Sequence, residues 1–310
     1  MAAVLWHLCF YSKNYRSIYL CSRWFWSAQE FRSISREDVM SFHRNFFNPQ
    51  NSLLMVVGKV DPETFRPLIL KKFKSWGKVF SGIPAAKSAQ KKYSDLRIKS
   101  DPAEVLIVDR PGLNQAQIRL GFKGLSVQSK DRYALRVGNA LLGEYFNSRL
   151  NSLIRDQLGL TYSIGSGISY SKDLGYFMVS SATKNSSVGQ VIRHSIDLLK
   201  QMKRGKVLDE EISTAKNYLL GGFPIGVSTL GAVASRWLSG ELLELGPDYL
   251  NEFESRVSEV TRADVIRAFS ESMRLDDLVI VVSGDSREIQ KSLKKAGFRS
   301  WKNIELKALL

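Results

Sequence analysis

Two short apolar runs, each closed by a glycine, lie far apart in the chain and have the same surroundings. The run SLLMVVG ends at Gly58, and the run LVIVVSG ends at Gly284. Both are too short and too rich in β-branched residues for buried helices, so we predict that both are buried strands. Each follows a helical stretch that starts with a capping residue, Ser35 or Thr261. Because a second helical stretch follows each run, the pattern predicts a helix–strand–helix segment at both places.

The two segments match residue by residue without a gap. Arg36 aligns with Arg262, which sets an offset of 226 residues (262 − 36). At this offset, identical or similar residues coincide at Asp38 and Asp264, Val39 and Val265, Leu54 and Ile280, Val56 and Val282, and Gly58 and Gly284. A chance match of this length and order is not expected, so we predict a duplicated unit.

We predict that residues 103–310 form a complete second copy of this unit. It opens with two strand patterns, EVLIVDRP and QAQIRLGFKG, and continues with a long helical stretch that we expect to break near Tyr145–Ser148. Two alternating strands, TYSIGSGISY and LGYFMVSSAT, follow and lead through several helices to the closing segment. The patterns therefore predict an α+β fold with a duplicated unit, of which the first copy is incomplete.

We predict that residues 34–78 are the first copy and contain only its closing segment. Moving Ala103, the start of the second copy, back by the same offset gives position −123 (103 − 226). About 120 residues of an equally long first copy are then missing. Residues 1–33 do not resemble the corresponding part of the second copy. We interpret them as an atypical N-terminal segment, which is either an ordinary divergent segment or the product of a wrong reading frame or a misplaced start.

A basic linker connects the two copies at residues 79–102. The chain has a net charge of +15, and much of it lies in and just before this linker. Asp95 is the only acidic residue in the whole stretch of residues 71–99. Because no aromatic ladder or known nucleic-acid motif accompanies the charge, we interpret the stretch as a solvated linker and predict no nucleic-acid partner.

Targeting signals are weak in this sequence. No apolar run is long enough for a transmembrane helix, and the apolar start MAAVLWHLCF lacks the basic region and cleavage site of a signal peptide. The two cysteines, Cys9 and Cys21, have the spacing of neither a metal site nor a disulfide framework. The sequence therefore predicts no membrane span and leaves the localisation unknown.

A candidate binding pair lies in the stretch RDQLGLTYS, where Arg155 and Tyr162 stand seven residues apart around a glycine. A guanidinium and a phenol can both donate hydrogen bonds to a peptide carbonyl or a terminal carboxylate. The residues alone leave a second interpretation open, in which Arg155 is a cation at a helix end and Tyr162 is a half-buried strand aromatic.

The duplicated unit, the GLTYSIGSG strand and the NFFNPQNSLLMVVGKVD segment together resemble the pitrilysin/insulinase-type zinc peptidases, over about residues 33–298. This family includes mitochondrial processing peptidases and core subunits of the respiratory cytochrome complex. The resemblance implies two homologous halves around a chamber. One half carries the zinc motif HxxEH, whose glutamate is the general base. The other half carries an arginine and a tyrosine that hold the substrate, and Arg155 and Tyr162 match this pair.

The chain departs from the family because it contains no HxxEH. His7 is followed by LCFY, His43 by RNFF and His194 by SIDL, so none has a histidine or glutamate at the required spacing. We therefore expect no catalytic residue and no metal ligand in this chain, and we expect the zinc in the missing half or in a partner subunit. Glu144 lies in the helix that corresponds to the zinc helix, but it has no histidine neighbours, so we interpret it as structural.

The resemblance implies a substrate-binding, non-metal half of a zinc metallopeptidase, inactive alone, that acts on a peptide with an HxxEH-bearing half or subunit. One alternative is a truncated or misannotated fragment of a full-length zinc peptidase. Another alternative is a non-enzymatic scaffold similar to the core subunits. The arginine–tyrosine pair favours the first interpretation over the scaffold, which has no use for such a pair.

Overall fold

The computed structural model describes residues 32–47, 49, 52–76, 105–124, 126–171 and 175–304. These residues fall into two compact units. The larger one, which we call the sheet unit, contains the described residues of Leu96–Gly222 and Asn251–Leu310. The smaller one, which we call the helical unit, contains those of Trp26–Asp95 and Phe223–Leu250. The domain boundaries derived from the repeat stay predictions.

A six-stranded mixed sheet is the centre of the sheet unit. Its strands are β1 (Val105–Asp109), β2 (Gln115–Lys123), β3 (Thr161–Ser169), β4 (Tyr176–Lys184), β5 (Val279–Gly284) and β6 (Trp301–Ile304). Their order across the sheet is β3–β4–β2–β5–β1–β6. β1 pairs in parallel with β5 and β6, and all other pairings are antiparallel. The patterns in the sequence predict β1 to β5, but they miss β6, whose four residues are too few to show an alternation.

The described α-helices are distributed over both units. In chain order the α-helices are α1 (Arg36–Phe46), α2 (Pro62–Phe73), α3 (Arg132–Asn139), α4 (Val188–Lys203), α5 (Asp209–Gly226), α6 (Leu230–Leu242), α7 (Phe253–Glu259), α8 (Arg262–Ser272) and α9 (Ser286–Lys295). Among the described residues, no single helix has the length and apolar character to span a membrane, and only the bent pair α5 and α6 reaches that standard jointly.

The core of the sheet unit lies between one face of the sheet and the helices packed on it. Along β4, buried residues alternate with half-buried ones, as expected for a strand with one face in a core. β5 is central and is buried along most of its length, with Ile280, Val281 and Val282 at most 1% exposed. Its nearly unbroken apolar run follows from burial on both faces, so the sequence correctly predicts a buried strand there.

The corresponding run in the helical unit is different from the sequence prediction. Ser52–Val57 is expected to be a buried strand, but the structure shows no strand there, and Leu53, Leu54 and Val56 are exposed. This prediction is wrong because a strand needs neighbours. β5 is flanked by β1 and β2, whereas no described residue pairs with Ser52–Val57 as a strand. Unpaired backbone cannot form a stable strand on its own.

The helices on either side of the two runs begin in the same way. Ser35 caps α1 and Thr261 caps α8, each through a capping box closed by an aspartate three residues later. Both helices have 11 residues and keep the offset found in the sequence. The next helices, α2 and α9, begin after the capping aspartates Asp61 and Asp285. These matching caps agree with a duplication, which stays a prediction.

Candidate functional site

Arg155 lies near the end of a helix that is wound more widely than an α-helix. Two such π-helical segments, Ala140–Glu144 and Asn151–Gln157, follow α3. The chain leaves the helical path between them, which confirms the break predicted near Tyr145–Ser148. π-Helical turns are rare and occur frequently at functional sites, because the extra residue changes the direction of the side chains around it.

The guanidinium of Arg155 is held on three sides. Its Nε donates a hydrogen bond to Oδ1 of Asp156 at 2.7 Å, and its Nη2 donates to Oδ2 of Asp156 at 3.1 Å. The same Nη2 also donates to the carbonyl of Phe146 at 3.0 Å. The guanidinium carbon lies 3.7 Å from the centre of the Phe146 ring. The side chain of Arg155 is 16% exposed, and among the described residues its Nη1 has no acceptor.

The pairing with Arg155 also fixes the protonation of Asp156. The hydrogen bond from the guanidinium holds the pKa of the Asp156 carboxyl below its ordinary value. The carboxylate is therefore ionised at neutral pH and balances much of the positive charge of Arg155. As a result, Arg155 has directed N–H donors more than an unbalanced positive charge.

Tyr162 is presented by a bulge in β3. In the register of β3 and β4, Thr161 pairs with Thr183 and Ser163 pairs with Ala182, so Tyr162 is the extra residue between them. The side chain of Tyr162 is 93% exposed. A bulge redirects the side chain of the extra residue and is typical of strands next to functional sites. The half-buried aromatic that the sequence also allowed is therefore not what the structure contains.

A tight turn connects the helix of Arg155 to the strand of Tyr162. The N–H of Gly159 donates to the carbonyl of Arg155 at 3.2 Å, and the N–H of Leu160 donates to the carbonyl of Ile154 at 3.0 Å. Gly159 has a φ of 60°, which favours glycine because a Cβ atom is strained in this left-handed conformation. Both candidate residues thus lie on the same helix–strand junction, which explains why the glycine stands between them.

Glu144 is part of a half-buried polar cluster. Its two carboxylate oxygens accept hydrogen bonds from Arg136 at 2.6 Å and 2.5 Å, and the amide of Asn139 donates to it at 3.0 Å. Asn139 is fully buried, and its side-chain oxygen accepts a hydrogen bond from Ser166 at 2.9 Å. These contacts connect the π-helix to β3 and agree with the structural role expected for Glu144.

The described residues do not fit a zinc ion. Among them, no three or more histidine, cysteine, aspartate or glutamate side chains are grouped to hold a metal. His43 is exposed and stacks on Phe47 with 5.1 Å between ring centres, and His194 lies on α4. His7 lies outside the described residues. The described residues therefore provide no set of donors for a catalytic zinc ion.

The sequence patterns miss the residues that hold the pair in place. Asp156 is adjacent to Arg155 in the sequence, and an acidic residue next to an arginine could have indicated the ion pair between them. Phe146 gives no signal, because only the helix break brings its carbonyl and ring to the guanidinium. The hydroxyls of Thr161 and Ser181 at the bulge also give none, since alternation places both simply on the buried face of their strands.

Comparisons with known proteins identify the family. Residues 33–219 match the family model described as the peptidase M16 inactive domain. An uncharacterized zinc protease of Streptomyces coelicolor is 26% identical over 233 residues, which are 75% of this chain and 50% of that protein. The chain thus spans about half the length of this relative.

Solved structures show the same α+β fold. The crystal structure of a peptidase M16 inactive domain from Pseudomonas fluorescens superposes with a TM-score of 0.70 at 20% identity, over 84% of this chain and 60% of that one. A chain of complex III from Candida albicans superposes with a TM-score of 0.68 at 15% identity, over 87% of this chain and 64% of that one. The resemblance predicted from the sequence is confirmed: the chain belongs to the peptidase M16 family and matches its inactive domain.

Proposed function

We propose that this chain is the substrate-binding, non-metal half of a zinc metallopeptidase, that it is inactive alone, and that Arg155 and Tyr162 bind the peptide substrate. The zinc site belongs to an HxxEH-bearing half or subunit elsewhere. Two findings support the division of labour. The matching family model describes an inactive domain, and the described residues provide no group that fits a metal.

The observation that carries the binding role is the exposure of Tyr162. Tyrosines at strand positions usually bury part of the ring, because the aromatic surface gains free energy when it leaves water. Here the bulge places the ring and the hydroxyl almost entirely in solvent, at 93% exposure. Packing does not explain why such a side chain is exposed, whereas the binding of a peptide carbonyl by the hydroxyl does.

Arg155 adds a second donor on the same junction. Its Nε and Nη2 are engaged by Asp156 and Phe146, which fix the orientation of the guanidinium. The remaining Nη1 can donate to a peptide carbonyl or a terminal carboxylate without any rearrangement. A donor that is already oriented costs little conformational entropy on binding. The pair therefore suits the main chain of a peptide more than a particular side chain.

Replacing Tyr162 by phenylalanine tests this proposal. In the complex purified through a tag on this chain, Tyr162→Phe is expected to lower kcat/KM for peptide cleavage about tenfold, because a hydrogen bond is worth up to about 1.5 kcal/mol. Folding and assembly should not change, since the ring is exposed. The matched control is Tyr218→Phe in the same unit, which removes a hydroxyl from a ring that lies tilted against Tyr145, with 5.3 Å between ring centres. Equal cleavage by both variants and wild type would refute the binding role of Tyr162.

A further inference from the structure

The bulge around Tyr162 interrupts the backbone pairing of β3 and β4. A bulge leaves one residue outside the ladder, and the polar groups beside it lose their regular partners. Buried backbone groups without partners cost free energy, so the surrounding side chains must provide hydrogen bonds if the bulge is to persist. A strand without such partners can return to the regular register, which moves neighbouring side chains to the other face of the sheet.

Buried hydroxyls supply those hydrogen bonds. The N–H of Ser163 donates to Oγ1 of Thr161 at 3.1 Å, and this hydroxyl donates to the carbonyl of Ala182 at 2.6 Å. Oγ of Ser181 lies 3.1 Å from Oγ1 of Thr161 and 3.0 Å from the carbonyl of Ser163. Thr183 donates from its hydroxyl to the carbonyl of Leu160, just before the bulge.

These hydroxyls are buried between the strands, whereas the side chain of Tyr162, beside them in the bulge, is exposed. Thr161 is 8% exposed and Ser181 is 5% exposed, whereas Tyr162, the extra residue of the bulge, is 93% exposed. A valine or alanine would fill either buried position at lower cost if packing alone mattered, because burying a hydroxyl is unfavourable unless it is bonded. The hydroxyls at these buried positions are therefore accounted for by the hydrogen bonds that the bulge requires. The bulge in turn accounts for the exposure of Tyr162.

We propose that Thr161, together with Ser181, is a positioning residue for Tyr162: its hydroxyl replaces the missing ladder partners and so holds the bulge that points Tyr162 toward the peptide. This inference rests on the proposed function, because it assumes that Tyr162 contacts substrate. Thr161 itself touches no substrate and takes no part in the chemistry.

The test compares Thr161→Val with Thr161→Ser in the tagged complex. Valine keeps the shape of threonine but has no hydroxyl, whereas serine keeps the hydroxyl and loses only a methyl group. Thr161→Val is expected to lower kcat/KM about as much as Tyr162→Phe does, roughly tenfold, and Thr161→Ser should stay within about twofold of wild type. In the Tyr162→Phe background, Thr161→Val should cause no further loss, because both changes remove the same contact.

Each outcome decides the proposal. Equal activity of Thr161→Val and wild type, while Tyr162→Phe is impaired, overturns the positioning role and leaves the proposed function intact. Wild-type activity of Tyr162→Phe overturns the proposed function itself. If Thr161→Val does not fold, Ser181→Ala replaces it, with Ser195→Ala as the control for loss of a buried, bonded hydroxyl in α4. Loss of activity in Ser181→Ala alone supports the proposal, and equal effects in both contradict it.

Discussion

Replacing Arg155 by alanine is expected to reduce kcat/KM for peptide cleavage about 100-fold in the assembled peptidase. A hydrogen bond that involves a charged group is worth up to about 3 kcal/mol, and each 1.4 kcal/mol corresponds to a factor of ten. The loss exceeds that expected for Tyr162→Phe, because the guanidinium is charged and is already oriented by Asp156 and Phe146.

Lysine should not restore this function. Arg155→Lys keeps the positive charge, but its ammonium group cannot bond Asp156 through two nitrogens and also donate in the direction of Nη1. We therefore expect Arg155→Lys to remain at least about tenfold impaired. Steady-state kinetics on several short peptides measure both variants, and circular dichroism with size-exclusion chromatography confirms that folding and assembly persist.

A control arginine separates this effect from a general loss of charge. The side chain of Arg287, at the start of α9, is 82% exposed, and the contact of its Nε with Asp285 is long, at 3.9 Å. Arg287→Ala should leave kcat/KM within about twofold of wild type, because an exposed ion pair of this kind contributes little. Cleavage by Arg155→Ala at the wild-type rate would rule out the proposed role of Arg155 in binding the substrate.

Replacing Phe269 by alanine is expected to lower the free energy of unfolding of the sheet unit by about 3–5 kcal/mol. Phe269 lies on α8, is 1% exposed and is among the largest buried side chains of the core. The loss combines the apolar surface that is no longer buried with a cavity that the neighbours cannot close. Denaturation with urea, followed by circular dichroism, measures the change.

The same ring explains a glycine in α3. A Cβ atom at Gly138 would lie 2.2 Å from Cε2 of Phe269, far closer than any real contact. Gly138→Ala is therefore expected to cost about 1–3 kcal/mol, as other overpacked cores do. Combined with Phe269→Leu, which removes the ring, Gly138→Ala should cost clearly less than it does alone, because the added methyl group then has space.

An exposed leucine provides the comparison for both core changes. Leu208 is 63% exposed, so Leu208→Ala should change the free energy of unfolding by no more than about 0.5 kcal/mol.

Additive effects of Gly138→Ala and Phe269→Leu on the free energy of unfolding would show that the ring and the glycine are not in contact. The packing of α3 against α8 would then have to be revised.

The sequence predicts those parts of the fold that depend on local patterns. The apolar run of β5, the alternation of β4 and the capping boxes at Ser35 and Thr261 are visible as residues and are present in the structure. The run Ser52–Val57 has the same local pattern as β5 and yet forms no strand. The strand prediction fails here for a physical reason, because pairing with neighbouring strands decides whether an apolar run becomes a strand.

The candidate site is predictable only in part for the same reason. The stretch RDQLGLTYS points to Arg155 and Tyr162 through its resemblance to the family. It does not indicate the bulge, because no residue type marks an extra position in a strand. Nor does it indicate the contact of Arg155 with Phe146, which depends on the π-helical winding and on the break between the two π-helical segments. The candidate site depends on backbone irregularities, namely the bulge in β3, the π-helical segments and the break between them. Periodic patterns in the sequence do not indicate such irregularities.

The central claim is that this chain binds substrate while the zinc lies elsewhere, and one measurement tests it most directly. The complex captured through a tag on this chain is assayed for zinc content and for peptide cleavage, beside the chain purified alone. The account predicts about one zinc ion per copy of the chain in the complex, cleavage that a chelator abolishes, and neither zinc nor cleavage in the chain alone. A complex without zinc or cleavage would contradict the account and favour the scaffold, and a chain that binds zinc and cleaves peptides alone would contradict it as well.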